Sequence, residues 1–402
     1  MVLASLIALV TLPVPVDEIP AAPDRADALE AAGRYRVAEP IRRRAVEEAG
    51  TGESETAAAA AEKLGNNLAM QSRTAEAEPF LRTALEIRLH LAAIDRPPSP
   101  EVQARAASSL NQFSAVLLEK GELKEAEAMA RRAMWIYRRA DRVRDPAYAA
   151  TLTNLGSIIA AGGNYVRADS LFREAANIME KVARRGGWQG SAADPARLDA
   201  EQRALAFQQA VTLNNLGVNL HRIATGATLP TLFRQSYFSR NAVLAPTTWS
   251  PSDASMAMDS ATRGDMLAEA DNWLRDSLHL REKLRGRRHP DTANAMNSLA
   301  ANLLAQERRG EAESLYREAV SIKRAFLPAS DRDLIVGHWA LARIVSDRAE
   351  SRSYYRKAGD GILAGQALFR EFDQAARSQL RSYGPVFTGH VRVDWDLAGQ
   401  RD

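Results

Sequence analysis

The chain contains no cysteine, which excludes disulfide scaffolds, thiolate metal sites and cysteine nucleophiles together. Aromatic residues are scarce, at 6% of 402 positions, so small side chains must carry the close packing. The six histidines (His90, His221, His279, His289, His338, His390) are scattered without a His-Glu-x-x-His or comparable ligand spacing, so no metal and no cofactor is expected. A Walker loop, a Gly-x-Ser-x-Gly elbow and a convergent nucleophile–base pair are all missing, and an enzyme is not expected. Net charge is only +3 with basic residues spread along the whole chain, unlike the concentrated patch that nucleic acid requires. The apolar run Met1–Val16 falls short of the ~20 residues of a membrane span. It is similar to the apolar stretch of a secretory signal, with Ala21-Ala22 for cleavage, although no Lys or Arg precedes it and Pro20 sits awkwardly. Residues 1–23 are therefore expected to be a signal or an apolar N-terminal segment. The first makes the chain exported or periplasmic, the second cytoplasmic, and no other membrane association is expected.

What the chain does have is self-similarity. A pattern Ala-acid-x-apolar-x-Arg-x-Ala occurs at Ala38–Ala45, Ala77–Ala84, Ala126–Ala133, Ala168–Ala175, Ala270–Ser277 and Ala312–Ala319, with a degenerate copy at Ser351–Ala358. Ile87, Ile136, Ile178, Leu280 and Ile322 each follow the first Ala by ten residues, so small and apolar positions share one stripe of a helix. A second pattern precedes most copies: Asn66-Asn67-Leu68-Ala69, Asn111-Gln112-Phe113-Ser114, Thr153-Asn154-Leu155-Gly156, Asn214-Asn215-Leu216-Gly217, Asn297-Ser298-Leu299-Ala300 and Gly337-His338-Trp339-Ala340. The Leu-type anchor leads the Ala anchor by thirteen residues in three repeats (Phe113/Ala126, Leu155/Ala168, Leu299/Ala312), which is one helix, a tight turn and an antiparallel second helix. The turns are expected at Gly121, Gly162-Gly163 and Gly310, and first helices open at Ser99-Pro100 and Asp145-Pro146.

On these residues the chain resembles the tetratricopeptide repeat family, in its longer kinesin-light-chain-like form of period 42 (Ala126 to Ala168, Ala270 to Ala312). The segment from His289-Pro290-Asp291-Thr292-Ala293 through Asn297, Leu299, Gly310-Glu311-Ala312-Glu313 and Tyr316-Arg317 to Ala319 is the best match. The resemblance implies an all-α solenoid of helical hairpins, a right-handed superhelix with a concave groove. About seven helix pairs are expected over residues 24–361, with insertions near 184–202 and 225–265, a capping helix at 362–383 and a C-terminal tail at 384–402. The first copy has little room for a full first helix behind Pro13–Pro23, and the second has a shortened turn, nine residues from Leu68 to Ala77. In the tail Val391, Val393, Trp395 and Leu397 alternate like a strand.

Function follows the architecture: a non-catalytic scaffold binding a protein or extended peptide. Arg43, Arg82, Arg131, Arg173, Arg275, Arg317 and Arg356 form a ladder, but six of them have an acid four residues earlier, the spacing of stabilising surface pairs rather than of a ligand site. The candidate groove residues are Asn66, Asn67, Asn111, Asn154, Asn214, Asn215 and Asn297, because an amide offers a peptide backbone both donor and acceptor. The alternative is that these amides bond neighbouring repeats. The family's clamp for an acidic C-terminal peptide also needs a base five residues before the Leu anchor, which only Lys63 supplies. The long insertion carries Phe233, Tyr237, Phe238 and Trp249, candidate anchors for a docked segment or a partner, whereas Arg184–Trp188 reads as a flexible loop. The tail also resembles the junction before the caspase-like protease domain of bacterial repeat–protease fusions. This implies the second reading, a regulatory arm that senses a peptide and controls a separately encoded enzyme.

Overall fold

The computed structural model describes residues 22–71, 73–95, 97, 99–188, 198–226, 259–366, 380 and 383–399. Fifteen helices are present among these: α1 (Ala22–Ala31), α2 (Tyr35–Ala49), α3 (Glu55–Met70), α4 (Thr74–Ile94), α5 (Pro100–Lys120), α6 (Leu123–Arg139), α7 (Pro146–Ala161), α8 (Tyr165–Gly186), α9 (Ala200–Thr225), α10 (Ser260–Arg285), α11 (Pro290–Ala305), α12 (Arg309–Arg324), α13 (Arg332–Ile344), α14 (Arg348–Gln366) and α15 (Gly384–Ala398). They pack as seven successive antiparallel pairs, α1/α2 to α13/α14, with α15 laid against α14. The fold is the all-α hairpin array that the repeats predict. A ten-residue first helix, α1, does fit before the first Ala anchor.

The two helices of a pair start differently, and the sequence explains why. First helices carry side-chain caps: Ser54, Ser99, Asp145, Asp199, His289 and Asp331 each accept a hydrogen bond from a backbone N–H of the first turn. Pro100, Pro146 and Pro290 occupy the first helical position, where a missing N–H costs nothing. Four of the second helices, α2, α4, α6 and α12, begin without a side-chain cap. There the reversal closes by a backbone bond back to the preceding helix: Arg34 N–Leu29 O (2.8 Å), Arg73 N–Leu68 O (3.1 Å), Glu122 N–Leu117 O (2.9 Å) and Arg308 N–Leu303 O (2.9 Å). Asn164 N–Ile159 O (3.1 Å) repeats it ahead of α8. The turn needs one left-handed residue, Gly33 (φ +74°) in the first pair. In the sixth, Glu307 (φ 64°) takes that role, and the expected turn residue Gly310 lies inside α12.

In three pairs a glycine one position after the Leu anchor receives a residue four after the Ala anchor. A Cβ on Gly156 would stand 2.9 Å from the Phe172 ring, and one on Gly217 would stand 2.7 Å from Leu274 Cγ. The same contact joins Gly65 to Leu81, where a Cβ would meet Leu81 Cγ at 2.6 Å. This corrects the register of the second repeat. Its anchor is Leu64, thirteen residues before Ala77, so the turn is of ordinary length and Asn66-Asn67 do not align with Asn154 or Asn215. Lys63 then loses the clamp position as well.

Three further expectations change. Trp188 is buried with Ala183, Leu198 and Ala206, and its indole N–H donates to Gln209 Oε1 (3.2 Å), so Arg184–Trp188 is a packed helix end rather than a flexible loop. The alternating tail is helix α15, because Val386 and Val393 form a stripe of helical period against α14, and Gly389 lets the Tyr355 ring approach. Of residues 362–383, the first five continue α14, and most of the rest lie outside the described residues. The segment 1–21 and Phe233, Tyr237, Phe238 and Trp249 lie outside them too.

The Gly217 contact yields a stability test. Gly217→Ala places a methyl group against Leu274 and the Ala270 carbonyl, and is expected to destabilise the array by about 1–3 kcal/mol in urea unfolding. Leu274→Ala in the same chain should recover part of this loss. Strict additivity of the two changes would contradict the contact.

Candidate functional site

Six of the ladder arginines hold the acid one turn earlier: Arg43–Glu39 (2.8 Å), Arg82–Glu78 (2.9 Å), Arg131–Glu127 (2.6 Å), Arg173–Asp169 (2.7 Å), Arg275–Asp271 (2.6 Å) and Arg317–Glu313. Arg173 and Arg317 also reach Glu269 (2.8 Å) and Glu350 (2.7 Å) on the next second helix. This face is an ion-pair lattice, each exposed pair of which is worth ~0–1 kcal/mol.

Two sets of asparagine bonds join the pairs, and Asn214 and Asn297 belong to neither. One links successive first helices: Asn66 Nδ2 donates to Gln112 Oε1 (2.9 Å), Asn154 Nδ2 to Asn111 Oδ1 (2.9 Å) and Asn215 Nδ2 to Ser157 Oγ (3.3 Å). The hydroxyls of Thr153 and Thr212 continue this seam at 3.1 Å. The other set reaches back to a carbonyl of the preceding second helix: Asn67 Nδ2 to Tyr35 O (3.1 Å), Asn219 Nδ2 to Tyr165 O (3.0 Å) and Asn302 Nδ2 to Leu267 O (2.9 Å). Every target carbonyl lies three residues before an Ala anchor, so these amides set how one pair sits on the next. Asn219 and Asn302 were not among the sequence candidates, although their shared offset from Leu216 and Leu299 is a readable signal. Asn67, Asn111, Asn214, Asn215 and Asn297 are all buried. Of the seven predicted amides, Asn66 lines the central cavity.

That cavity exists because the array curls back on itself. Arg285 Nη1, at the end of α10, donates to Ala31 O at the end of α1 (2.8 Å). Gly33 in the α1–α2 turn lies so close to the α10–α11 turn that a Cβ there would stand 3.0 Å from His289 Nε2 and 3.2 Å from Pro290 Cδ. His289 is buried at this contact, and burial holds its imidazole below the ordinary range. Five helix pairs therefore complete a ring, and the sixth and seventh continue past the first. The open-sided cavity measures about 960 Å³ and is lined by Gly33–Val37 of the first pair, the C-terminal halves of α3 and α5, Arg73 and Thr74 at the start of α4, the start of α11, and the segment from Lys323 to Asp333.

Its wall is mixed in chemistry. Val37 (48% exposed) and Phe326 (38%) present apolar surface, and Asn66 and Gln112 present amides. Lys323 is buried and pairs with Asp333 (3.0 Å). Asp331 caps α13 by accepting the Asp333 N–H (2.8 Å), and its carboxyl is pushed up to about 6 by burial and by the neighbouring Asp333 charge. Among the described residues no group of three or more His, Asp or Glu could hold a metal ion, and no helix is long and apolar enough to cross a membrane.

Comparison with known proteins agrees with this geometry at the level of the repeats. Residues 105–181 and 253–325 match the tetratricopeptide repeat family. No curated protein matches the chain. Among solved structures, the chain is similar to BtubC (BKLC) from P. vanneervenii, with 16% identity, 76% of this chain and 92% of that chain covered, and a TM-score of 0.42. It is also similar to a kinesin-light-chain-like protein of Podospora anserina with nearly identical TPR-like repeats, at 16% identity, 66% and 98% coverage and a TM-score of 0.41. A third is Acl4, an assembly chaperone of RpL4, at 14% identity, 94% and 96% coverage and a TM-score of 0.33.

The ring closure can be tested by small-angle scattering. Gly33→Val should raise the radius of gyration, because the side chain meets His289 and Pro290. Gly163→Val carries the same left-handed strain (φ +91°) but has nothing within 4 Å of its Cβ, and should leave the radius unchanged. Equal behaviour of the two variants would contradict the closure.

Proposed function

For a chain that carries tetratricopeptide repeats, we propose that the central cavity binds an extended segment of a protein partner and that the chain acts as a scaffold without chemistry of its own. The observation that carries this is the pairing of Val37 and Phe326, two large apolar side chains left exposed in one concave space of about 960 Å³. Exposed apolar surface inside a concavity is what a partner's side chains cover. The volume is at the upper end of the ~300–1,000 Å³ of ordinary ligand sites and suits a few residues of extended chain. The Asn66–Gln112 amide pair lies beside this surface, and its remaining donor and acceptor capacity supports recognition of a peptide backbone.

The regulatory-arm reading draws on a different surface. On α15, Val391 and Trp395 (79% exposed) lie one turn apart on the outer face, at the C-terminal end of the array. That pair suits docking of the separately encoded enzyme that this reading calls for.

One experiment separates the two readings. Partners recovered with the tagged chain from its native host would be compared among wild type, Val37→Glu/Phe326→Glu and Val391→Glu/Trp395→Glu, with circular dichroism confirming that each variant folds. Loss of an anchor of ~2 kcal/mol weakens binding about thirtyfold, so the cavity variant should lose its principal partner. Retention of every partner by the cavity variant would overturn the groove reading. Loss confined to the α15 variant would favour the regulatory arm.

A further inference from the structure

The imidazole of His289 stands at the seam where the array closes on itself. Its Nδ1 caps α11 by accepting the Asp291 backbone N–H (3.1 Å), which assigns the proton of the neutral imidazole to Nε2. The Nε2 edge lies against the α1–α2 turn, where a Cβ on Gly33 would stand 3.0 Å away. His289 is 4% exposed, and the α1–α2 turn covers it only while the array is shut.

The surroundings suit a neutral imidazole. Two cations approach from α10: Arg281, buried, donates to Asp291 O (2.9 Å), and Arg285 donates to Ala31 O (2.8 Å). On α11 the opposing charge is Asp291, whose Oδ2 is 3.4 Å from Nδ1. The α1–α2 side offers the Ala31 carbonyl, while Glu30 there is held by Arg42 and Asn67, and Arg34 is exposed. Burial is the main cause that holds His289 below its ordinary value near 6.5, and the two arginines add to it against the pull of Asp291. A proton on Nδ1 would also face the Asp291 N–H donor to donor and undo the cap.

We propose that the ring closure is an acid-sensitive contact, in which protonation of His289 parts the α1–α2 turn from the α10–α11 turn and opens the shared cavity. An imidazole that is neutral when shut and returns to its ordinary value when open stabilises the closed form above about 6.5. That stability is lost as pH falls below this value. One proton shifts the closure by at most about tenfold per pH unit. The proposal rests on the closure and not on the groove reading; with both in force, acid releases the bound segment.

The test titrates the full chain labelled with ¹³C-histidine, the His289 resonance being assigned from His289→Asn and folding being confirmed by circular dichroism. In wild type His289 should titrate below the ordinary range. In Gly33→Val, whose side chain forces the two turns apart, it should return to about 6.5. Gly163→Val, strained alike but clear of neighbours, should keep the wild-type value. Equal titration of His289 in wild type and in a Gly33→Val chain of raised radius of gyration would overturn the proposal and leave the closure standing. An unchanged radius in Gly33→Val would remove the closure, and the proposal with it. Small-angle scattering at pH 7.5 and 5 reads the opening itself, since pH 5 lies above the values of about 4 to which burial lowers His221 and His338. The wild-type radius should rise at pH 5, whereas His289→Asn, which keeps a good helix cap and cannot take up the proton, should hold its radius. A rise in both chains, or in neither, would overturn the proposal.

Discussion

The close approach of the two helices in three of the pairs rests on one contact, a glycine on the first helix meeting a large apolar residue on the second. Gly65 against Leu81, Gly156 against Phe172 and Gly217 against Leu274 leave no room for a Cβ, so the interhelical distance is set by van der Waals contact. Elsewhere the same positions hold Ser114 with Ala130 and Ala300 with Tyr316. In a repeat array each unit touches only its neighbours, so a fixed geometry inside the pair and a fixed step between pairs determine the whole curve. The step is held by the asparagine bonds to Tyr35, Tyr165 and Leu267 carbonyls, three amides doing the same work at three junctions.

Curvature accumulated over five pairs brings Ala31 and Arg285 together, and from that follow the ring and its cavity. Both flanks of the array then line one cavity. Val37 near the N-terminus and Phe326 in the sixth pair face the same space only while the ring is shut. A groove of this kind couples ligand binding to closure: any segment that touches both flanks stabilises the contact between them. The buried His289 and the tight approach at Gly33 place that contact in a well-packed setting rather than a loose surface touch.

Much of the architecture was legible in the residues. The Ala anchors and the spaced arginines mark the second helices because small residues seven apart can only pack as a helical stripe. The register of the second repeat was not legible, since Leu64 and Leu68 are both apolar and one turn apart, and only the Gly65–Leu81 contact decides between them. The tail misleads for a similar reason: Val391, Val393, Trp395 and Leu397 alternate, yet Val386 and Val393 also fit a helical stripe, and packing on α14 selects the helix. Asparagines offered no distinction between binding a neighbour and binding a ligand, because the amide chemistry is identical. Closure was beyond the sequence altogether, because it joins residues 254 positions apart through the sum of many small rotations.

The most direct measurement is the distance between spin labels placed at Arg36, beside the α1–α2 turn, and Arg288, in the α10–α11 turn, by pulsed electron–electron resonance on the full chain. The closed ring predicts a single, short and narrow distance distribution. A long or broad distribution would mean that the array is an open solenoid and that the shared cavity does not persist in solution.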